Sequence, residues 1–297
     1  GIPIIKTLKE SLILNEIREI YAILNGTSNY ILSNMSKLKM SFNDALKDAQ
    51  DKGYAESDPT LDINGEDSAH KLSILNSIIF SEIPSFKSIH VKGIENIELI
   101  DHHHSSEFGY NIRLIALSHI TDNGVYKEVT PMLVDKNSSL GRVDEANNII
   151  KIIGQESGDV VLEGQGAGEG PTSSSVIADL IDCAIGSKLH LFSKSHSELS
   201  NNINKIPSEE RPYYLRVFLK DQKGYMSSLT KLLSDSNISL DKIIQKDENN
   251  DNENNFKPVI MITYPVKKDE IDSLIDILSN SDIVSSEPLH MPILVKG

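Results

Sequence analysis

Between Gly53 and Lys71 the sequence crowds carboxylates (Glu56, Asp58, Asp62, Glu66 and Asp67) around a single lysine. Asp67 and Lys71 stand four residues apart, so on a helix their side chains meet, and a loop from Glu56 to Asp62 can fold its acids towards the same face. A lysine held among carboxylates keeps its charge and can deliver a proton to an oxygen, while Glu56 and Asp67 can grip a substrate ammonium or hydroxyl. That set is suited to proton transfer. Spacing alone still favours a plainer reading, an exposed i,i+4 salt bridge beside an acidic loop.

Other stretches invite a chemical reading as well. Gly164-Gln165-Gly166-Ala167-Gly168-Glu169-Gly170-Pro171-Thr172 leads into an apolar helix expected over 176–185, and glycines before a helix allow close backbone approach to an anion. The spacing is not G-x-G-x-x-G, and taken alone a tight turn before a well-capped helix is the better account of it. Asn25-Gly26-Thr27-Ser28 reads as a turn in which Thr27 or Ser28 caps the following helix; nothing in it demands a ligand. The run His102-His103-His104 lacks a spaced partner pair and reads as a surface turn rather than a metal site. Cys183, the only cysteine, sits in an apolar helical pattern and is expected to be a buried, inert thiol.

These residues need elements to hold them. Ile17 to Leu24 reads as a strand. A helix is predicted over 43–52, with Ser41 as N-cap, Asp44 in its first turn and Gly53 ending it in the left-handed conformation. A second helix is predicted from Gly65 to Phe80, with positions 67, 71, 74 and 75 on one face. Beyond a polar stretch at 194–211, the pattern becomes strand (213–220), helix (225–234), strand (238–245), strand (259–264), helix (269–278) and strand (283–295), the order of a split βαβ sheet. The segment 247–255, made only of Asp, Glu and Asn, is too polar to bury and reads as a long hairpin loop.

The 297 residues suit about two domains. A net charge of −14 leaves no basic field to draw in nucleic acid or anionic lipid. No stretch reaches the roughly 20 apolar residues that cross a bilayer. With its single cysteine the chain is expected in a reducing, cytoplasmic compartment. It opens on an apolar run without an initiator methionine, which is read as the middle of a folded domain with something upstream missing.

Taken in order, Gly1-Ile2-Pro3-Ile4-Ile5, then Asn25 to Leu32, then Ala49 to Pro59 with Asp62, Gly65, Asp67 and Lys71, and finally Gly166-Ala167-Gly168 with Pro171-Thr172, resemble homoserine dehydrogenase. The likeness spans about residues 1–192, and the second block resembles an ACT regulatory domain. The resemblance implies an α+β chain, with a catalytic domain of mixed sheet and helices (1–193), a linker (194–211) and a βαββαβ, ferredoxin-like ACT domain (212–297). It implies interconversion of L-homoserine and L-aspartate 4-semialdehyde by hydride exchange with NAD(P), in the synthesis of threonine, methionine and isoleucine, by a homodimer or homotetramer. It further implies that Lys71 donates the proton to the aldehyde oxygen, that Glu56, Asp62 and Asp67 line the substrate site, that Gly53 and Gly168 approach the cofactor, and that the backbone at Ile2 belongs to a sodium site. This reverses the plainer reading of Lys71.

Two departures shape the expectation. The family places a Rossmann domain, with a G-x-G-x-x-G loop and a further active-site lysine, ahead of the position of Gly1, and this sequence has neither. The chain is therefore expected to be the C-terminal part of a three-part enzyme, binding NAD(P) weakly or not at all and not turning over alone; the rival is a regulatory or assembly polypeptide that keeps only ligand sensing. ACT domains commonly carry Asp-x-Pro-Gly at the first strand-to-helix turn. Here it is Asp221-Gln222-Lys223-Gly224, and the resemblance implies an amino-acid effector such as L-threonine at Asp221 and Gly224.

Overall fold

The computed structural model describes residues 1–186, 210–245 and 256–295. The expected acidic loop at 247–255 and most of the expected linker, 194–209, lie outside them. After a short helix α1 (Ile4–Lys6) and a π-turn (Thr7–Ser11), the first block runs β1 (Ile17–Ile23), α2 (Gly26–Leu38), α3 (Phe42–Asp51), α4 (Thr60–Ile63), α5 (Glu66–Phe80), β2 (His90–Val91) and α6 (Leu99–Glu107). It continues with β3 (Tyr110–Thr121), β4 (Gly124–Asp135), α7 (Ser139–Arg142), β5 (Asn147–Gly154), β6 (Gly158–Gln165) and α8 (Glu169–Ala184). The second block runs β7 (Glu210–Arg211), β8 (Tyr213–Lys220), α9 (Tyr225–Asp235), β9 (Leu240–Gln245), β10 (Phe256–Thr263), β11 (Val266–Lys267), α10 (Lys268–Ser279) and β12 (Leu289–Pro292).

The first block forms a six-stranded sheet in the order β2-β4-β3-β1-β5-β6, antiparallel apart from the β2–β4 pair. Because side chains alternate along a strand, Ile20, Ala22, Ile112, Leu114, Ala116, Ile150 and Ile152 join the core shared with helices α2 and α5. Tyr21, Ile23, Ile115, Leu117, Met132 and Ile149 form a second core on the opposite face.

The second block is the expected βαββαβ, an antiparallel sheet in the order β12-β8-β10-β9. Its alternation serves two partners. Leu215, Val217, Val259 and Met261 bury against α9 and α10, whereas Tyr214, Ile260, Ile262, Leu289 and Met291 join the core of the first block. Beyond β12, Ile293 bridges Leu133 and the Leu294 amide donates to the Leu133 carbonyl at 2.8 Å, extending the large sheet along the edge of β4.

Several expectations are corrected. His102 to His104 lie on α6, not in a surface turn: Glu98 and Asp101 form a capping box at its start, and His102 and His104 are buried as the helix packs beneath the sheet. Asn25, rather than Thr27 or Ser28, caps α2, its side-chain oxygen accepting from the Ser28 amide at 2.8 Å. Helix α8 starts at Glu169, seven residues before the predicted start, because Gly168 supplies the cap and Pro171 falls in the first turn, where no amide donor is needed. Cys183 is exposed, since the apolar stripe of α8 (Val176, Ile177, Leu180, Ile181, Ile185) is uncovered among the described residues. Glu210 and Arg211, expected in the linker, pair with β11, and Arg211 forms an ion pair with buried Glu128. No described helix is long and apolar enough to cross a membrane.

Candidate functional site

Helix α5 begins where Gly65, at φ +86°, turns the chain out of α4, a conformation that glycine adopts without a Cβ penalty. One helical turn carries Asp67 to Lys71, and the Lys71 ammonium lies 2.6 Å from Asp67 Oδ2. The same Nζ donates to the Leu24 carbonyl at 3.1 Å, which anchors it to the end of β1. The Lys71 side chain is 49% exposed, so one side of it faces solvent.

Asn25 closes the cluster. Its Nδ2 donates to Asp62 Oδ1 at 2.7 Å and to Asp67 Oδ2 at 2.8 Å, while its oxygen caps α2. Both hydrogens of one amide are spent on two carboxylates, which fixes α4 and α5 against the N-terminus of α2. Burial raises the pKa of Asp62, aided by neighbouring Asp67 and Glu56; the Asn25 hydrogen bond and Lys71 oppose the rise. Glu56 is exposed on the loop before α4, within electrostatic range of Asp62.

The loop holding Gly53 is tied to α2, since Thr27 Oγ1 donates to the Tyr54 carbonyl at 2.6 Å and the Tyr30 and Tyr54 rings lie 4.6 Å apart. Gly53 itself, at φ +76°, has open space where a Cβ would stand. The glycine segment before α8 reaches the same end of α2 through Asn148. A methyl group on Gly166 would fall 2.6 Å from Asn148 Oδ1, and one on Gly26 2.7 Å from the Ala146 carbonyl. Gly168 sits at φ +113°, with only Pro171 nearby.

The sequence-predicted residues therefore divide. Asp62, Asp67 and Lys71 form one bonded cluster, with Glu56 at its margin and the two glycine turns flanking α2. Asn25 is the residue that reasoning from sequence missed. Its position directly after a strand, with Gly26 behind it, marked only a turn.

Asp221 and Gly224 lie away from this cluster, at the β8–α9 turn. Asp221 is exposed and pairs with Lys257 at 2.9 Å, and Gly224 caps α9 at φ +95°. His103, His104 and Glu107 bring potential ligand atoms within 4.8 Å of one another. Glu107 already serves as the shared partner of both rings, at 3.6 and 3.0 Å.

Residues 3–181 match the family model described as homoserine dehydrogenase. The chain belongs to the homoserine dehydrogenase family. A homoserine dehydrogenase of Helicobacter pylori is 41% identical over 83% of the chain and 58% of its own length. The crystal structure of a homoserine dehydrogenase from Thiobacillus denitrificans aligns with a TM-score of 0.86 at 33% identity, over 99% of this chain and 68% of that one. A hyperthermophilic archaeal homoserine dehydrogenase mutant in complex with NADPH aligns at a TM-score of 0.54 and 28% identity, over 64% of this chain and 54% of that one. The chain thus spans between about half and about two thirds of the homoserine dehydrogenases it resembles. The fold is the α+β, mixed-sheet fold of homoserine dehydrogenases.

Homoserine dehydrogenases are NAD(P)-dependent, and the described residues fit one side of such a cofactor. Gly53 and Gly168 both stand at positive φ, with nothing within 4 Å of a methyl group on Gly53 and only Pro171 Cδ near one on Gly168. No G-x-G-x-x-G turn between strand and helix lies among the described residues to seat its pyrophosphate. The Ile2 carbonyl accepts the Ile4 amide at 2.8 Å and keeps a second lone pair.

Proposed function

We propose that this chain supplies the substrate-handling part of a homoserine dehydrogenase, interconverting L-homoserine and L-aspartate 4-semialdehyde in the synthesis of threonine, methionine and isoleucine. The observation that carries the reading is the Asn25-bridged cluster of Asp62, Asp67 and Lys71. When bound, NAD(P)H would supply a hydride to the aldehyde carbon, and Gly53 and Gly168 would border it. Negative charge then grows on the aldehyde oxygen, and the Lys71 ammonium stabilises and protonates it. In the reverse direction the neutral amine left by that proton transfer takes the hydroxyl proton of homoserine.

Glu56, Asp62 and Asp67 hold the amino and hydroxyl ends of the substrate. With Nζ already hydrogen-bonded to Asp67 and the Leu24 carbonyl, the remaining donor direction of Lys71 is left for substrate. The second block acts as an ACT domain that senses an amino acid at Asp221 and Gly224, and the working enzyme is a cytoplasmic homo-oligomer.

The test is calorimetric titration of the chain with L-homoserine, followed by turnover of the full-length protein. Lys71→Ala should lower kcat by about 100-fold or more with homoserine affinity nearly kept, as expected on losing a general acid. An unchanged kcat excludes the role of Lys71, and no heat with homoserine excludes the pocket.

A further inference from the structure

The segment from Val91 to Glu98 lies between the substrate cluster and the C-terminal sheet and is bonded to both. On the substrate side it touches the Ile63–Gly65 turn, which joins α4, bearing Asp62, to α5, bearing Asp67 and Lys71. The Ile94 amide donates to the Ile63 carbonyl at 2.9 Å. A methyl group on Gly93 would lie 2.6 Å from that carbonyl oxygen and 2.7 Å from Asn64 Cα, so the two backbones are in direct contact. Gly65 in turn faces Val91 and the Lys92 carbonyl.

On the other side stands Arg216 of β8. Its guanidinium donates to the Asn96 carbonyl at 3.1 Å and pairs with Glu98 at 2.7 Å and with Asp101 at 3.2 Å. Tyr214, two residues earlier on the same face, donates its hydroxyl to Asp101 Oδ1 at 2.8 Å. Lys92, at the near end of the segment, donates to the His290 carbonyl on β12 at 3.3 Å. Arg216 and Asp101 are both buried, so their ion pair is shielded from solvent and salt, whereas Glu98 is half-exposed.

We propose that Arg216 is a positioning residue for the substrate site: by holding the 92–98 segment against the Ile63–Gly65 turn, it sets where Asp62 stands relative to Asp67 and Lys71. The proposal rests on the reading of that cluster as the homoserine pocket. It makes the C-terminal sheet part of the pocket's framework, since a shift of β8 passes through one backbone segment to α4.

The experiment uses the whole chain and needs no ligand for its first measurement. Hydrogen exchange is compared between the wild type, Arg216→Gln, Arg216→Lys and Glu98→Gln; the last of these removes a half-exposed partner and keeps the fold if Arg216→Gln does not. The Ile94 amide and the amides of residues 62–64 should exchange at least about 10-fold faster in Arg216→Gln or Glu98→Gln, with β1 and β3 unchanged and Arg216→Lys partly rescued. Equal protection at Ile94 and residues 62–64 overturns the proposal, whatever homoserine does.

The second measurement is a double-mutant cycle on L-homoserine affinity. Arg216→Gln should weaken binding about 5-fold in the wild type and less than about 2-fold in an Asp62→Asn background, because both changes act on one group. Additive losses overturn the route through Asp62. If the wild type binds no homoserine while the exchange result holds, the pocket reading falls and the positioning of the turn by Arg216 stands.

Discussion

Replacing Asn25 with aspartate keeps the shape and the α2 cap, since aspartate caps as well as asparagine, but turns a donor into an acceptor facing two carboxylates. The Nδ2 contacts to Asp62 and Asp67, at 2.7 and 2.8 Å, become oxygen–oxygen contacts at the same spacing. Two hydrogen bonds to charged groups are lost, each worth about 1.5–3 kcal/mol. Holding three carboxylates ionised at such distances costs more than protonating one. The penalty at pH 7 is therefore capped near about 4 kcal/mol, which is about 1.4 kcal/mol for each of the roughly three units between pH 7 and an ordinary aspartate pKa.

The sign follows from the raised native pKa. The folded variant binds a proton that the unfolded chain does not, so the extra cost grows with pH and fades as pH falls towards about 4–5. Urea unfolding of wild type and Asn25→Asp at pH 5 and 7.5 should give a difference of about 2–4 kcal/mol at the higher pH and about half that or less at the lower. Asn25→Ala serves as a control whose difference from wild type varies far less with pH. A penalty equal at both pH values, or below about 1 kcal/mol at pH 7.5, would refute the bridging role of Asn25.

Burial holds His90 near pKa 4 and His102 near 3, and raises Asp101 to about 6. The histidines make the native state bind fewer protons than the unfolded chain between pH 4 and 6.5, and Asp101 makes it bind more between about 4 and 6. Burial also lowers His290 and raises Asp62, two shifts of opposite effect, so one histidine is left uncompensated: stability should fall from pH 6.5 to 4.5 by about 1 kcal/mol per pH unit, read as a falling thermal midpoint, and a flat profile contradicts the burial of the pair. Gly26→Ala pushes a methyl group to 2.7 Å from the Ala146 carbonyl and should cost about 1–3 kcal/mol in urea, an unchanged midpoint counting against the close approach. Leu180→Lys, on the uncovered face of α8, where Leu180 is 63% exposed, should shift stability by no more than about 0.5 kcal/mol; a large loss would mean that this face is covered.

What the sequence disclosed follows the range of the interactions. Asp67 and Lys71 are joined by one helical turn, and Ser41 with Asp44 by the first turn of α3, so local spacing sufficed to read them. The alternation along 213–220 likewise placed β8 and its domain order. Asn25 meets Asp62 and Asp67 across 37 and 42 residues, and nothing in Asn-Gly announces such a partner. The histidine run misled because three polar residues suggest solvent, while the packing of α6 beneath β3 buries His102 and His104 and leaves His103 exposed. Cys183 misled in the opposite sense: an apolar stripe implies a covering partner, and among the described residues α8 has none.

The two-faced sheet of the C-terminal block bears on modularity. A cassette that can be cut out and grafted elsewhere carries its own core and leaves its host's intact. Here Tyr214, Ile260, Ile262, Leu289 and Met291 are built into the core of the first block, and the segment after β12 completes an edge of the large sheet. Excision at residue 212 would strip apolar cover from the first block and leave Asp101 buried without Arg216 or Tyr214. The two blocks should therefore melt as one cooperative unit, and exchanging the C-terminal block for a relative's requires carrying over α6 and the 92–98 segment with it.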